Sequence, residues 1–179
     1  ELEITGPLAA KLFISSETQD ADLFLVLRLF DPEGVEVTFQ GTTDPNTPIA
    51  MGWLRASHRA LDPERSEPHQ PYHLHERVDP LTPGEVYELD IEIWPTCIVV
   101  PPGYRLALDV RGKDYVYDGP LGDLAKEFLF ATRGTGGQTH ADPQNRPPEI
   151  FGGKGTLHSG GERKSYLLVP VIPNTPGGE

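Results

Sequence analysis

The sequence predicts an all-β fold, a jelly-roll-like sandwich of two antiparallel sheets with one short helix and long loops. Three observations carry this. Apolar residues alternate with polar ones, or form β-branched and aromatic runs, in short segments rather than at helical spacing. Turn formers are abundant, with 19 Gly and 19 Pro among 179 residues. The hydrophobic content of 37% nevertheless exceeds what a disordered Pro/Gly-rich chain carries, so the turns must join strands that bury a core.

Taken in order, strands are expected near 8–15, 22–30, 35–39, 50–59, 86–94, 97–100, 104–112, 155–159 and 165–172. Asp31-Pro32-Glu33-Gly34 places proline at the second position of a tight turn, which makes 22–39 a hairpin. Residues 60–80 hold His69, His73, His75 and four prolines, so they read as a long loop with few ladder hydrogen bonds. Residues 120–131 open on Pro120, and Leu121, Leu124, Phe128 and Leu129 then recur at helical spacing, which predicts the helix. The stretch 133–155 reads as loop. Residues 1–173 are expected to form one domain, with 174–179 a frayed, flexible tail. Irregular spacing of so many short strands favours a sandwich over a barrel.

Composition excludes several roles. A formal net charge of −12 repels phosphate backbones and anionic lipid, so neither a nucleic acid nor a membrane is an expected partner. No stretch approaches the length of a spanning helix, and no basic segment precedes an apolar run at the start. Cys97 is the single cysteine, which removes an internal disulfide and a thiolate zinc cluster. Glu1 in place of methionine leads to the expectation of a chain either processed or excised from something longer.

Candidate chemistry is sparse. No G-x-S-x-G elbow flanks any serine, and long helices do not alternate with strands as in a parallel hydrolase sheet. His158 and Ser159 are adjacent, but neighbouring strand residues point to opposite faces, and His140 lies deep in a Gly/Pro-rich loop. No catalytic residue and no cofactor are therefore expected. His69, His73 and His75 form the densest group of potential metal ligands, and the His73/His75 pair would share one face of an extended segment, yet no nearby pattern supplies a third and fourth ligand, so ordinary loop histidines are the expectation and no metal site is assigned. Asp20, Asp22 and Asp31 do not match a twelve-residue calcium loop and read as turn or arginine-paired carboxylates. Arg55 sits in an apolar strand run and needs a carboxylate, with Asp22 the first candidate. Trp53 and Trp94 fall in apolar runs and are assigned to the core rather than to a sugar-binding platform shared with Tyr72, Tyr104, Tyr115 and Tyr117.

Five segments, in order, resemble one known family. They are EITGPLAAKLFISS (3–16), DADLFLVLRLFDPEG (20–34), GWLRASHR (52–59), LTPGEVYELDIEIWPTCIVVPPGYRLALDVRG (81–112) and LHSGGERKSYLLVPVIP (157–173). Together they resemble the C-terminal, non-catalytic domain of the X-Pro dipeptidyl-peptidase, cocaine-esterase and α-amino acid ester hydrolase family of serine hydrolases. KDYVY at 113–117 departs from that family's more usual Ser/Asn-Phe-Pro-rich stretch. The resemblance implies a galactose-binding-domain-like jelly roll. It also implies a parent chain whose α/β-hydrolase domain and helical cap are this domain's partners and supply the Ser, His and Asp of acyl transfer. No triad residue carries over, because the matching region lies outside the catalytic domain. Self-association is left open as a further partnership, and the reading from another class is a free-standing carbohydrate-binding sandwich. Parts of 43–52 and 133–155, with Ile49, Met51, Ile150 and Phe151, are the expected interdomain face.

Overall fold

Strand β1 (Leu2–Ser16) has one residue pattern on each side and uses both of its edges. Along one edge it pairs with β5 (Tyr87–Val100). Along the other it takes three short strands in turn, β7 (Gly155–His158), β8 (Tyr166–Leu168) and β9 (Val171–Ile172), all antiparallel. These five strands are the first sheet. The second sheet has four and is centred on β2 (Asp22–Phe30), which pairs with β3 (Glu36–Val37), β4 (Ala50–Arg55) and β6 (Arg105–Arg111). A single α-helical turn, α1 (Pro148–Phe151), begins on proline, where the missing N–H is not needed. The structure is a computed structural model and describes residues 1–41, 44–120, 134–135 and 139–173. The helix expected at 120–131 falls almost wholly, and the tail at 174–179 wholly, outside them.

Period-2 alternation sends Ile4, Leu8, Ala10, Leu12 and Ile14 inward from β1 and Leu89, Ile91 and Ile93 inward from β5, against Leu23, Leu25, Leu27 and Leu29 of β2. Each fully buried side chain of this size stabilises the sandwich by about 1.5–3 kcal/mol relative to exposure. The outer face of β2 is covered as well. Val26 lies beneath Tyr115, Tyr117 and Met51, and Phe24 beneath His140 and Arg146, so the described residues around 115–117 and 140–146 lie as a strap over the second sheet. The two sheets come into backbone contact where Gly52 meets β5. A Cβ on Gly52 would stand 2.1 Å from the Glu92 carbonyl oxygen, so only glycine allows this approach.

Four strand boundaries differ from expectation, each for a backbone reason. Segments 86–94 and 97–100 are one strand. Pairing shifts from Gly6↔Thr96 to Leu8↔Ile93, so Trp94 and Pro95 together oppose Pro7. Both prolines lie in this bulge, where no ladder N–H is required. The first strand begins at Leu2 rather than 8, because Gly6 takes φ +134° ahead of Pro7. Strand 50–59 stops at Arg55 and passes into a 3₁₀ turn, Ala56–His58, held by the Asp20 carboxylate through Ser57 N (2.9 Å) and Ser57 Oγ (2.6 Å). The run 165–172 is cut at Pro170, whose carbonyl instead accepts Thr5 N at 3.0 Å.

Candidate functional site

Cross-strand register puts Asp22, the first residue of β2, opposite Arg55, the last of β4, so both side chains leave the same face. Arg55 donates Nε to Oδ1 (2.8 Å) and Nη2 to Oδ2 (2.9 Å), the expected pair, and Arg146 adds Nε to Oδ2 (2.8 Å). The apolar run around Arg55 does not bury its head: the Arg55 side chain is 32% exposed against 10% for Asp22. Arg55 is packed on Phe151 at 4.3 Å from its ring centroid, and Arg146 reaches the carbonyls of Gly112 and His140. The hydrogen bonds to Asp22 hold the Arg55 guanidinium protonated more firmly than an isolated one. This triad clips the strap onto the second sheet. Asp20, Asp22 and Asp31 thus do separate work, since Asp31 accepts Val35 N in the 31–34 turn.

Beside the clip lies a cleft of about 430 Å³, bounded by Trp53, Arg55, Glu92 and four histidines. His58 comes from the 3₁₀ turn and His140 from the strap, where Asp114 accepts both its N (2.6 Å) and its Nδ1 (2.9 Å). Asp114 thus gives His140 the support that its loop position alone does not supply. His73 and His75 enter from the 60–80 loop, with His73 anchored by a bridge to Leu61. Burial and then His75 lower the His73 pKa, keeping that ring neutral. His75 faces His58 with Nδ1 atoms 3.2 Å apart, and His69 is exposed and does not line the cleft. Sequence spacing did not include His58, because its partner is 17 residues away. Among the described residues, no three His, Cys, Asp or Glu side chains are arranged to hold a metal.

Trp53 and Trp94 are not a core pair. Trp94 is 55% exposed, placed on the outer face of β5 by alternation from the buried Leu89, Ile91 and Ile93, and meets Trp53 edge to face at 4.9 Å and 74°. Tyr115 and Tyr117 are buried instead, and Tyr72 stacks under Arg65 at 3.5 Å. The aromatic side chains therefore do not form one flat platform for a sugar ring.

One serine–histidine contact exists that sequence adjacency missed. Ser15 on β1 pairs beside β7, and its Oγ lies 2.8 Å from His158 Nε2. The other ring nitrogen, Nδ1, lies 3.2 Å from Arg163 Nη1. Guanidinium can only donate, so Nδ1 accepts, and the proton of the neutral ring sits on Nε2. His158 therefore donates to Ser15 rather than taking its proton. A triad base needs the reverse polarity, normally set by a carboxylate at Nδ1. The neighbouring pair His158 and Ser159 makes no such contact.

The expected interdomain face is only partly available. Ile49 is 4% exposed and belongs to the domain's own core, and Met51 packs on the Val26 cluster. Ile150 and Phe151 are half-buried on α1. Several outward-facing apolar side chains lie on the first sheet, where Val99 and Ile172 flank Glu3 across β5, β1 and β9.

Residues 1–168 match the family described as X-Pro dipeptidyl-peptidase C-terminal non-catalytic domain. Proteins named putative serine esterase from Mycobacterium bovis and Mycobacterium tuberculosis are each 34% identical over 118 residues, covering 63% of this chain and 17% of theirs. The cocaine esterase of a Rhodococcus strain is 24% identical over 177 residues, covering 96% of this chain and 23% of its own. A crystal structure of a CocE/NonD family hydrolase from Staphylococcus aureus superposes with a TM-score of 0.75 at 30% identity, over 96% of this chain and 28% of that one. The chain thus spans 17–23% of the length of these curated relatives.

Proposed function

The chain belongs to the family of X-Pro dipeptidyl-peptidase C-terminal non-catalytic domains, and from that premise we propose that it is the accessory β-sandwich of a longer serine hydrolase. In this reading it braces an α/β-hydrolase domain and its helical cap, which cleave an ester or amide through an acyl-enzyme. One observation carries the proposal: almost the whole chain, 96%, corresponds to little more than a quarter, 28%, of a hydrolase of known structure. The polarity of the Ser15–His158 contact supports it, because a serine that accepts a hydrogen bond from its histidine is not activated for attack. A free-standing carbohydrate module is not favoured, since Trp53 and Trp94 present an edge-to-face pair.

The docking face in this proposal is the outer side of the first sheet around Val99 and Ile172, two exposed apolar residues on a row with Glu3. The test assays the 179-residue chain against p-nitrophenyl acetate and an X-Pro anilide, beside Ser15→Ala and His158→Ala. The expected result is the buffer rate in all three. Turnover that disappears in either variant means the chain is itself an enzyme.

A further inference from the structure

Two imidazoles from different segments meet at the rim of the histidine cleft: His58 on the 3₁₀ turn after β4, and His75 on the 60–80 loop. We propose that His58 and His75 chelate one late first-row divalent cation, of the Ni²⁺, Cu²⁺ or Zn²⁺ class, through their Nδ1 atoms. Those atoms are 3.2 Å apart. Two nitrogens each about 2.0–2.1 Å from a tetrahedral ion are separated by roughly 3.3 Å, so the pair already has the span of a chelate. Both rings then carry their proton on Nε2, and no net proton is released if the starting rings are neutral.

The two ligands are held from opposite sides. Ser57 fixes the turn that presents His58, through two hydrogen bonds to the Asp20 carboxylate. His75 takes φ +52°, the one non-glycine residue with positive φ among those described, which aims its ring back across the cleft. A third imidazole stands behind them: the His73 ring centroid is 5.9 Å from that of His75, and neither ring nitrogen of His73 makes a well-formed hydrogen bond among the described residues. The cleft also carries Glu92, and a chain of net charge −12 draws cations toward it. No third side chain completes the set among the described residues, so water fills the remaining positions and the site is an open, two-ligand one. Imidazole ligands favour nickel, copper and zinc over calcium or magnesium, which prefer oxygen.

Ni²⁺ is the probe, added in sub-stoichiometric steps to the 179-residue chain at pH 7.5 while the imidazole proton resonances are followed. The expected result is selective broadening of His58 and His75, then His73, with His69 and His158 last. Calorimetry should give one ion per chain, with affinity lowered about tenfold or more in His58→Gln and in His75→Asn, as loss of a direct ligand should cost at least what loss of a supporting partner does. His69→Gln should leave the affinity unchanged. Parallel broadening of all the histidines in the wild-type chain overturns the proposal, and so does wild-type affinity in either His58→Gln or His75→Asn.

Discussion

Replacing Asp22 removes the acceptor shared by two arginines, and the size of the effect follows from exposure. Breaking a fully buried pair costs about 3–5 kcal/mol, whereas an exposed pair contributes about 0.2–1 kcal/mol. Asp22 is 10% exposed and its Arg55 partner 32%, which places the bridge between these limits. Arg146, 17% exposed, adds a third charge-assisted bond. Asp22→Ala is therefore expected to cost about 2–3 kcal/mol, near the range for hydrogen bonds to charged groups. In a domain of this size each kcal/mol moves the thermal midpoint by about 2–4 °C, so a fall of roughly 4–12 °C is expected by calorimetry. Arg55→Ala should cost less, because its head is better solvated. The double variant should lose less than the sum, by about 0.5 kcal/mol or more, as expected for groups in contact. A midpoint for Asp22→Ala within about 1 °C of wild type, or strict additivity in the cycle, refutes the clip.

Gly52→Ala should be among the most damaging small substitutions, costing about 3 kcal/mol or more as an overpacked contact, since its Cβ would stand 2.1 Å from a backbone oxygen. A urea midpoint unchanged in that variant would show that the sheets do not meet there. Tyr115 is buried and donates to Glu36 at 2.8 Å; burial and then that hydrogen bond raise its pKa above the ordinary phenol value. A raised acid pKa favours the neutral form in the fold, so this stability is present below about pH 10 and is lost as pH rises above it. Tyr115→Phe should cost about 1–2 kcal/mol at pH 8 and flatten the alkaline fall between pH 8 and 11. An equally steep fall in the variant would contradict the assignment.

Much of the sandwich was legible because its core strands alternate cleanly: β2 and β6 fall within a residue of their expected ends, since Leu23, Leu25, Leu27 and Leu29 share one face. Proline misled twice in opposite directions. Pro95 reads as a strand break but sits in a bulge that needs no N–H, whereas Pro170 does interrupt its strand. Trp94 reads as core from its apolar neighbours, yet alternation from the buried Ile93 puts it on the outer face of β5. The Asp22–Arg55 pair was readable from charge chemistry alone. Arg146 was not, because it arrives from a strap 124 residues further along the chain. Ser15–His158 and His58–His75 escaped for the same reason. Both are contacts between distant segments, and neither leaves a local spacing to detect.

The central claim is that this sandwich supports a hydrolase without performing the chemistry. The most direct measurement compares ester hydrolysis and thermal midpoint for three samples: the full-length parent hydrolase, the parent truncated before this domain, and the truncated parent mixed with the 179-residue chain. The account predicts no turnover by the chain alone and a lowered midpoint and activity in the truncated parent. Addition of the chain should restore both in part, and Val99→Glu with Ile172→Glu should weaken that rescue. Turnover by the isolated chain, or a truncated parent with the stability and rate of the full-length enzyme, would contradict it.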